Sequence, residues 1–502
     1  MKLEKRINDC LEITKYDKLR KELSFATEPK NILELNQDQK KIIEKLYPFQ
    51  IAALEYIELN GGYALIADEM GTGKTVMSIS HLLLHPEKRP VLVICPLSSK
   101  YVWKNHIKDW AKKDACILDS KTKVTPNAQW YVIHYDALFK RYTELEKIKF
   151  GCIIVDECHR IKNYGAKRSR YSFELIWKNT QSVLFLSGTP IKRYPDDIWQ
   201  ISMTVAPHVF HSWYPNATFN KTKFDSYFCG KTTVVYGRKR IPKYCPAHQS
   251  ELGDLLRRFV MIRRLKKDVL TQLPEKTRTW IVVDNVNREY KELENNLLER
   301  IKTESTSRNI DLTKVKFSKM SMEFKEMSQL RQLAFIDKIP YIIDHINSIL
   351  DNDESVVVFT MFHASTDILV SKLKELNINC AVIDGRVNAE KRNDIIQSFK
   401  DKKVNVLIGS IPTIGESIDL TNSSSALVAE LDWTPVNMLQ AEDRLHRITQ
   451  KENVNIYYYI TKGTIEEHIM NIIKSKLESS TSVYSENIDY GTLIMTSWLT
   501  NR

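Results

Sequence analysis

The chain has 502 residues and carries 74 lysines and arginines against 62 aspartates and glutamates, a formal net charge of +12. This length predicts two or three domains of about 100–200 residues each, and 43% hydrophobic with 27% charged residues is typical of globular rather than disordered chains. No apolar run reaches the ~20 residues of a membrane helix, and the N-terminus lacks a signal-like apolar stretch. Because the eight cysteines have no regular spacing, we expect reduced thiols in a soluble, intracellular protein of the cytoplasm, nucleoid or nucleus.

In chain order, residues 1–45 are charged and predict an N-terminal helical extension. Short β-like runs then alternate with longer amphipathic stretches, and the same alternation resumes after about residue 350. The predicted strands are 63–67, 91–95, 131–134, 152–155, 183–186, 356–359, 380–383, 404–408, 426–429 and 455–460. Short apolar strands that alternate with helices indicate an α/β fold with two mostly parallel sheets.

The segments around these strands define the predicted domains. Residues 191–262 are aromatic and basic, whereas residues 286–335 are rich in Glu, Lys, Met and Ser and predict helices. We predict a first lobe at 46–262 with a basic protrusion from about 191, a linker and helical protrusion at 263–335, a second lobe at 336–470, and a C-terminal helix and tail at 471–502.

A glycine-rich loop stands between the first predicted strand and a predicted helix. Its residues are Asp68, Glu69, Met70, Gly71, Thr72, Gly73, Lys74 and Thr75. Glycines let backbone N–H groups surround a phosphate, and a helix N-terminus adds a positive dipole. We expect Lys74 to reach the β- and γ-phosphates and the Thr75 hydroxyl to hold Mg²⁺. The strict pattern has glycine where Asp68 stands, so a tight turn before a helix is the alternative.

An acidic pair, Asp156 and Glu157, ends the apolar strand predicted at 152–155. Asp156 is expected to hold the Mg²⁺ shell, and Glu157 to orient and polarise the attacking water. Acidic pairs at strand ends are common, but this pair begins 82 residues after Lys74, a spacing that suits neighbouring strands of one sheet. The loop and the pair together indicate a nucleoside triphosphatase.

A third segment, residues 440–447, begins with Gln440 and contains Arg444 and Arg447. The two arginines are three residues apart, so we expect both guanidiniums on one helix face. Paired arginines can stabilise charge on a γ-phosphate during transfer. Because the phosphate loop lies in the other block, such arginines would close a nucleotide site from the second lobe. A solvated charged helix is the alternative.

The positive charge is concentrated in two places. Residues 231–280 contain 13 lysines and arginines against 4 acidic residues, and residues 160–170 contain five cations and no acid. Such runs are suited to a phosphate backbone, with a merely solvated basic surface as the alternative. Ligand-like spacings also occur among His208, His211, Cys229, Cys245 and His248. Because the paired-cysteine knuckle of zinc sites is absent, we interpret these five as core or surface residues.

Taken in order, the loop at 68–75, the Asp-Glu-Cys-His segment at 156–159, the Ser-Gly-Thr-Pro segment at 187–190 and the segment Gln-Ala-Glu-Asp-Arg-Leu-His-Arg-Ile-Thr-Gln at 440–450 resemble a SWI/SNF-like ATPase of helicase superfamily two. The segments at 261–276, 329–333 and 384–386 support this branch over the DEAD-box helicases. The sequence of residues 429–435 resembles the annealing-helicase, or HARP-like, members of this family. The resemblance covers about residues 46–470 and implies two RecA-like lobes with helical insertions between them.

The resemblance also implies roles for individual residues. Gln50 would read adenine, because 46–50 resembles the Q motif, and residues 187–190 would link ATP hydrolysis to DNA grip. The implied DNA contacts are Ser98, Ser99, Arg160, Lys162, Lys192 and Trp433. Two positions depart from the family wording: only Gly415 matches the usual glycines of the segment at 409–420, and Thr449 replaces a familiar glycine.

The function implied by the resemblance is a DNA-dependent ATPase that uses ATP and Mg²⁺ and translocates on duplex or branched DNA in repair, recombination or fork remodelling. Binding would be largely independent of DNA sequence because it goes mainly to phosphates. Removal of DNA-bound proteins, in chromatin or polymerase remodelling, is the alternative with the same chemistry. A non-catalytic DNA-binding scaffold is the alternative from another class.

Overall fold

The structure, a computed structural model, describes residues 16–119, 122, 124–125, 127–191, 194–212, 221–230, 232–236, 239–243, 245, 247–308, 322–415 and 418–478. The described residues form two compact units, which meet in the chain between Thr271 and Gln272. We call the unit up to Thr271 the first lobe and the unit from Gln272 the second lobe. Each contains its own parallel sheet, which confirms the predicted fold class.

The first lobe contains a seven-stranded parallel sheet in the order β3-β4-β2-β5-β6-β1-β9, and a separate antiparallel hairpin, β7-β8. Its strands are β1 (Tyr63–Ile66), β2 (Val91–Cys95), β3 (Cys116–Leu118), β4 (Trp130–His134), β5 (Cys152–Asp156), β6 (Val183–Leu186), β7 (Thr232–Tyr236), β8 (Lys239–Lys243) and β9 (Met261–Ile262). Every residue of β2 and β6 is buried, as expected where helices cover both faces of a parallel sheet.

The helices of the first lobe are α1 (Asp17–Leu23), α2 (Gln37–Ile43), α3 (Pro48–Leu59), α4 (Lys74–Leu84), α5 (Lys100–His106), α6 (Tyr135–Leu138), α7 (Tyr142–Leu145), α8 (Lys167–Asn179), α9 (Trp199–Val205), α10 (Pro207–Ser212), α11 (Lys221–Cys229), α12 (Gln249–Phe259) and α13 (Lys266–Val269). Helix α1 belongs to this lobe rather than to a separate extension. Its Arg20 is fully buried, donates to the carbonyl oxygen of Arg258 and lies 5.3 Å from the ring centre of Phe259.

The second lobe contains a six-stranded parallel sheet in the order β10-β15-β14-β11-β13-β12. Its strands are β10 (Lys276–Val283), β11 (Val356–Thr360), β12 (Cys380–Ile383), β13 (Val406–Ser410), β14 (Ser425–Val428) and β15 (Val454–Thr461). Its helices are α14 (Arg288–Arg308), α15 (Met322–Leu350), α16 (His363–Glu375), α17 (Ala389–Lys400), α18 (Ile411–Ile414), α19 (Pro435–Glu442) and α20 (Ile465–Glu478). None of the helices in the described ranges is long and apolar enough to cross a bilayer.

The predicted linker and helical protrusion, 263–335, needs correction because its described residues are divided between the two lobes. Strand β9 pairs with β1, and the residues after it pack into the first lobe, so that lobe extends to Thr271. Strand β10 pairs with β15 along eight residues and is the edge strand of the second sheet. Its first four residues are polar and only its last residue, Val283, is buried, and this is why the sequence resembled a linker. The predicted tail beyond 478 and residues 1–15 lie outside the described residues.

Candidate nucleotide site and nucleic-acid contacts

The glycine-rich loop joins the end of β1 to the start of α4, as predicted. Gly71 and Gly73 have φ angles of 82° and 88°, in the left-handed region that favours glycine. A Cβ atom at Gly73 would lie 2.5 Å from Nε2 of Gln50, so a side chain there would clash with the neighbouring helix. The Thr72 hydroxyl donates to the carbonyl oxygen of Glu69 at 2.8 Å and holds the loop in a tight curl.

Lys74 is the first residue of α4, and its ammonium group lies under the loop. Its Nζ donates to the carbonyl oxygens of Asp68 at 2.9 Å and Glu69 at 3.1 Å. Burial lowers the pKa of Lys74 to about 8, and the negative charges of Glu157, Asp68 and Asp156 oppose that shift. A phosphate brought to this ammonium would add negative charge and favour its protonated form.

The side chain of Asp68 is bonded within the protein, and its predicted contact with a nucleotide stays a prediction. Its carboxylate is fully buried and accepts from the backbone N–H of Arg264 at 2.9 Å and from the guanidinium Nε at 3.1 Å. The guanidinium also lies 5.2 Å from the ring centre of Phe49. The residue that replaces the expected glycine therefore fastens the phosphate loop to the chain after β9.

The other acidic residue of the loop, Glu69, accepts from the backbone N–H of Lys266 at 2.7 Å. Gln50 links α3 to the same loop: Oε1 accepts from the Tyr47 N–H at 3.1 Å, and Nε2 donates to the Thr72 carbonyl at 3.0 Å. These bonds use both ends of the Gln50 amide. Its reading of adenine stays a prediction, and its structural contribution is to position the loop.

Asp156 and Glu157 lie at the carboxyl end of β5. The spacing predicted that this strand neighbours β1, the strand before the glycine-rich loop, but β6 lies between the two. Oδ2 of Asp156 accepts from Nε1 of Trp103 at 2.9 Å, and Oδ1 accepts from the Glu157 N–H at 3.0 Å. Burial, followed by repulsion from Glu157, raises the pKa of Asp156 to about 6. The pair therefore holds more negative charge than its surroundings neutralise, which favours a bound cation.

Strand β6, which lies between β5 and β1, leads to the Ser-Gly-Thr-Pro segment at 187–190. Nδ1 of His159 lies 3.1 Å from Oγ of Ser187 and 3.2 Å from Oε2 of Glu157, so this buried imidazole joins the acidic pair to that segment. Arg263 donates from one Nη1 atom to the carbonyl oxygens of Ala67 at 2.6 Å and Gly188 at 2.8 Å.

The segments that contain His159, Arg263 and Arg264 indicated the family by resemblance. Their sequence predicted no role for these three side chains. The Arg-Arg pair beyond the basic protrusion was the available signal, but its partners Ala67 and Asp68 are almost 200 residues away in the chain.

The predicted arginine pair lies in the second lobe, beyond a helix rather than on one. Helix α19 ends at Glu442, so Arg444 and Arg447 lie in the turn that follows and do not share a helix face. Arg444 is buried; its Nη2 donates to the Gly415 carbonyl at 2.7 Å and its Nε to the Gln440 carbonyl at 3.2 Å. Arg447 donates from Nε to the Asp443 carbonyl at 3.1 Å. Arg444 thus bonds to Gly415, the one glycine of the segment at 409–420 that matches the family pattern.

The predicted DNA contacts have different environments. Ser99 is fully buried, so its hydroxyl does not reach the surface, whereas Ser98 and Arg160 are half-buried. Lys162 donates to Oδ2 of Asp197 at 2.9 Å. Lys192 lies outside the described residues.

Trp433 packs against a buried arginine, a contact that the sequence did not indicate. Its ring centre lies 4.7 Å from the guanidinium of Arg331, a fully buried residue that also lies 4.9 Å from the ring centre of Phe362. This stacking gives Trp433 a packing role in the second lobe. A contact between Trp433 and DNA stays a prediction.

The first lobe combines a parallel sheet, a glycine-rich loop with its lysine, and an acidic pair at the carboxyl end of the same sheet. These features define the phosphate-loop class of nucleotide-binding domain. The profile of the SNF2-related domain matches residues 49–336, and that of the helicase conserved C-terminal domain matches residues 337–449. The chain belongs to the SNF2-related family, with two RecA-like lobes. The boundary between the two profiles falls inside α15, whereas the structure divides after Thr271.

Several known proteins are similar to this chain. It is 30% identical over 471 residues to the DNA annealing helicase and endonuclease ZRANB3 of Homo sapiens, with 90% of this chain and 41% of that protein covered. It is 28% identical over 463 residues to the SWI/SNF-related matrix-associated actin-dependent regulator of chromatin subfamily A-like protein 1 of Bos taurus, with 89% and 45% covered. The chain thus spans less than half the length of either relative. The Sulfolobus solfataricus SWI2/SNF2 ATPase core in complex with dsDNA aligns at 24% identity and a TM-score of 0.40, over 91% of this chain and 96% of that one.

Proposed function

We propose that this chain is a DNA-dependent ATPase that translocates on duplex or branched DNA in repair, recombination or fork remodelling. The observation that carries the proposal is the placement of Lys74 directly after the glycine-rich loop and of the Asp156–Glu157 pair at the carboxyl end of another strand of the same sheet, where the charges of Lys74 and Asp156 act on one another. A cation for phosphate and an acidic pair for metal and water are what ATP hydrolysis requires of this class of site. We infer an intracellular compartment that contains DNA.

Mg²⁺ fits the donor set at this site. The Thr75 hydroxyl and the Asp156 carboxylate supply the oxygen ligands that Mg²⁺ prefers, and the raised pKa of Asp156 indicates a carboxylate in need of a positive neighbour. When bound with ATP, Mg²⁺ would neutralise charge on the phosphates. In this proposal Lys74 binds the β- and γ-phosphates, and Glu157 orients water while His159 holds its carboxylate. Arg444 and Arg447 stay candidate arginine fingers.

DNA is the proposed activator because cations with exposed side chains follow directly after the acidic pair. Lys167, Arg168 and Arg170 are exposed at the start of α8, and Arg160 precedes them. Binding through such cations goes to phosphate, so it is expected to weaken as salt rises and to depend little on sequence. The name of one similar protein, a DNA annealing helicase and endonuclease, supports the same partner.

The experiment that tests the proposal compares ATP hydrolysis with single-stranded, duplex, forked and RNA cofactors side by side. We expect strong stimulation by duplex or forked DNA, and loss of that activity in Lys74→Ala. Equal hydrolysis without nucleic acid, or RNA as the best activator, would overturn the assignment. ATP binding without any hydrolysis would instead support the non-catalytic scaffold.

A further inference from the structure

Two helices of the first lobe start beside the phosphate loop and come together again at their far ends. Helix α3 carries Gln50 near its start and Glu58 near its end, and α4 starts at Lys74 and carries His81 in its last turn. His85 follows directly after α4. One ligand atom from each of Glu58, His81 and His85 lies within 4.8 Å of the others. Among the described residues, this is the one group of three potential metal ligands at that spacing.

The two histidines are four residues apart, a separation that puts side chains on one helix face. Their ring centres are 4.7 Å apart. His81 is almost fully buried, whereas the side chains of His85 and Glu58 are 23% and 44% exposed. An ion could therefore enter from the side of Glu58 and His85 and reach His81 behind them.

Both ring nitrogens of His85 face carboxylates. Nε2 lies 2.8 Å from Oε2 of Glu58, and Nδ1 lies 3.0 Å from Oε1 of Glu87. A ring nitrogen and a carboxylate oxygen at this distance share a proton, because both atoms are otherwise acceptors. The Glu87 carboxylate can accept a hydrogen bond from Nδ1–H and so fix the ring orientation, the arrangement that holds most metal-binding histidines. The Glu58 side of the ring is then the position where a metal can replace a proton.

We propose that Glu58, His81 and His85 form a binding site for a zinc-type divalent cation, with a water in the fourth position. Two imidazole nitrogens and one carboxylate are a ligand set of Zn²⁺ and its neighbours in the first transition series, whereas Mg²⁺ and Ca²⁺ take oxygen ligands. Burial holds the pKa of His81 well below its ordinary value, so this imidazole is neutral and one of its ring nitrogens carries a lone pair that a metal can bind. The ion would join the ends of α3 and α4, whose starts position the phosphate loop.

Lys88 competes with the metal at this site. Its Nζ lies 3.3 Å from Nε2 of His81, close enough to donate a hydrogen bond to a ring nitrogen that could otherwise bind the ion. The ammonium is also a positive charge that opposes a second cation. Removing it while keeping the apolar stem, as in Lys88→Met, should therefore strengthen metal binding, whereas a purely hydrogen-bonded cluster would show no such gain.

The test uses the full chain, freed of metal with a chelator and titrated with Co²⁺ as a spectroscopic probe, followed by displacement with Zn²⁺. We expect binding of Co²⁺ with the absorption of a four-coordinate site, weakened at least about ten-fold in Glu58→Gln and in His85→Asn and strengthened several-fold in Lys88→Met. His363→Asn is the matched control, because its imidazole contacts one carboxylate, Asp384, and should leave binding unchanged. Both site variants change side chains with solvent access, so folding is expected to survive.

A second readout separates the site from cysteine-bound metal elsewhere in the chain. Zn²⁺ should raise the thermal unfolding midpoint of the wild type and of His363→Asn, but not that of Glu58→Gln or His85→Asn, because an ion bound only to the folded state stabilises it. Equal Co²⁺ affinity in the wild type, Glu58→Gln and Lys88→Met would overturn the proposal. None of these readouts depends on ATP hydrolysis, so the result is independent of the proposed function.

Discussion

Asp68 follows β1 and Asp156 ends β5 in the sheet of the first lobe, yet their surroundings differ completely. Asp68 is fully buried, faces one guanidinium and accepts from both the backbone and the side chain of Arg264. Asp156 faces a second carboxylate, Glu157, and has one indole N–H and one backbone N–H as donors. The charge of Asp68 is neutralised within the protein, whereas that of Asp156 is not.

This difference separates a carboxylate that maintains the fold from one that is available for chemistry. A buried ion pair with its hydrogen bonds complete has little left to offer a ligand, and it is costly to break. An acidic pair with unbalanced charge and a raised pKa is a candidate for metal binding and catalysis. The two aspartates should therefore respond in opposite ways to removal of their charge.

The largest effect is expected on ATP hydrolysis, when the acidic pair of Asp156 and Glu157 loses a carboxylate. Glu157→Gln removes the carboxylate that would orient water, and should lower DNA-stimulated ATP hydrolysis by about 10²–10⁴-fold with little change in ATP binding. Steady-state hydrolysis and nucleotide binding by fluorescence measure the two quantities. Glu174→Gln, which changes a carboxylate paired with exposed Arg170, is the control and should remain active. Activity within ten-fold of the wild type in Glu157→Gln would remove Glu157 from the mechanism.

The next effect belongs to Asp68. Asp68→Asn leaves the buried guanidinium of Arg264 without its counter-charge and should lower the free energy of unfolding by about 3–5 kcal/mol. Urea unfolding followed by circular dichroism measures this loss. The double variant Asp68→Leu with Arg264→Met replaces the pair by apolar side chains and should recover part of the stability. A loss below about 0.5 kcal/mol, the range of ordinary surface substitutions, would show that the pair does not hold the loop.

Asp156→Asn should do the opposite. A carboxyl group whose pKa is raised from 3.8 to about 6 destabilises the folded state as the pH rises through that interval, and the penalty persists at higher pH. Without Mg²⁺, the variant should therefore be more stable than the wild type above pH 6, by about 1–3 kcal/mol, and equal to it below about pH 4. Thermal unfolding from pH 4 to 8 in the presence of a chelator measures the difference. A variant less stable than the wild type at pH 8 would contradict the unbalanced charge.

Sequence patterns predicted the parts of this molecule that depend on neighbours in the chain. The strands at 91–95 and 183–186 have the predicted bounds, because apolar runs of that length are buried on both faces. The glycine-rich loop was equally visible, since its conformation depends on glycines at fixed positions.

What the sequence did not reveal depends on partners that are distant in the chain. Nothing near Asp68 indicates that Arg264 will neutralise it, and nothing in β10 shows that it pairs with β15, because the two strands are far apart in sequence. The end of α19 at Glu442 was missed because the residues after it continue a helical pattern. Long-range packing determined each of these outcomes.

The smallest effect tests what still restrains Asp156. Trp103 is almost fully buried and donates its indole N–H to Oδ2 of Asp156, a bond that lowers the pKa of that carboxyl group. Trp103→Phe keeps an aromatic ring but loses the donor, so the pKa should rise above about 6 and more of the group should be protonated near neutral pH. We expect about three- to ten-fold more Mg²⁺ to be needed for half-maximal hydrolysis at pH 7.

Measurement of that Mg²⁺ requirement across pH separates this electrostatic effect from a loss of packing. If the indole acts through the pKa of Asp156, the difference between Trp103→Phe and the wild type should close by about pH 9, where the carboxyl group is ionised in both proteins. A packing defect would lower activity by the same factor at every pH. Closure of the gap at high pH would show that the charge left unbalanced at Asp156, in contrast to the neutralised charge of Asp68, is what binds the metal.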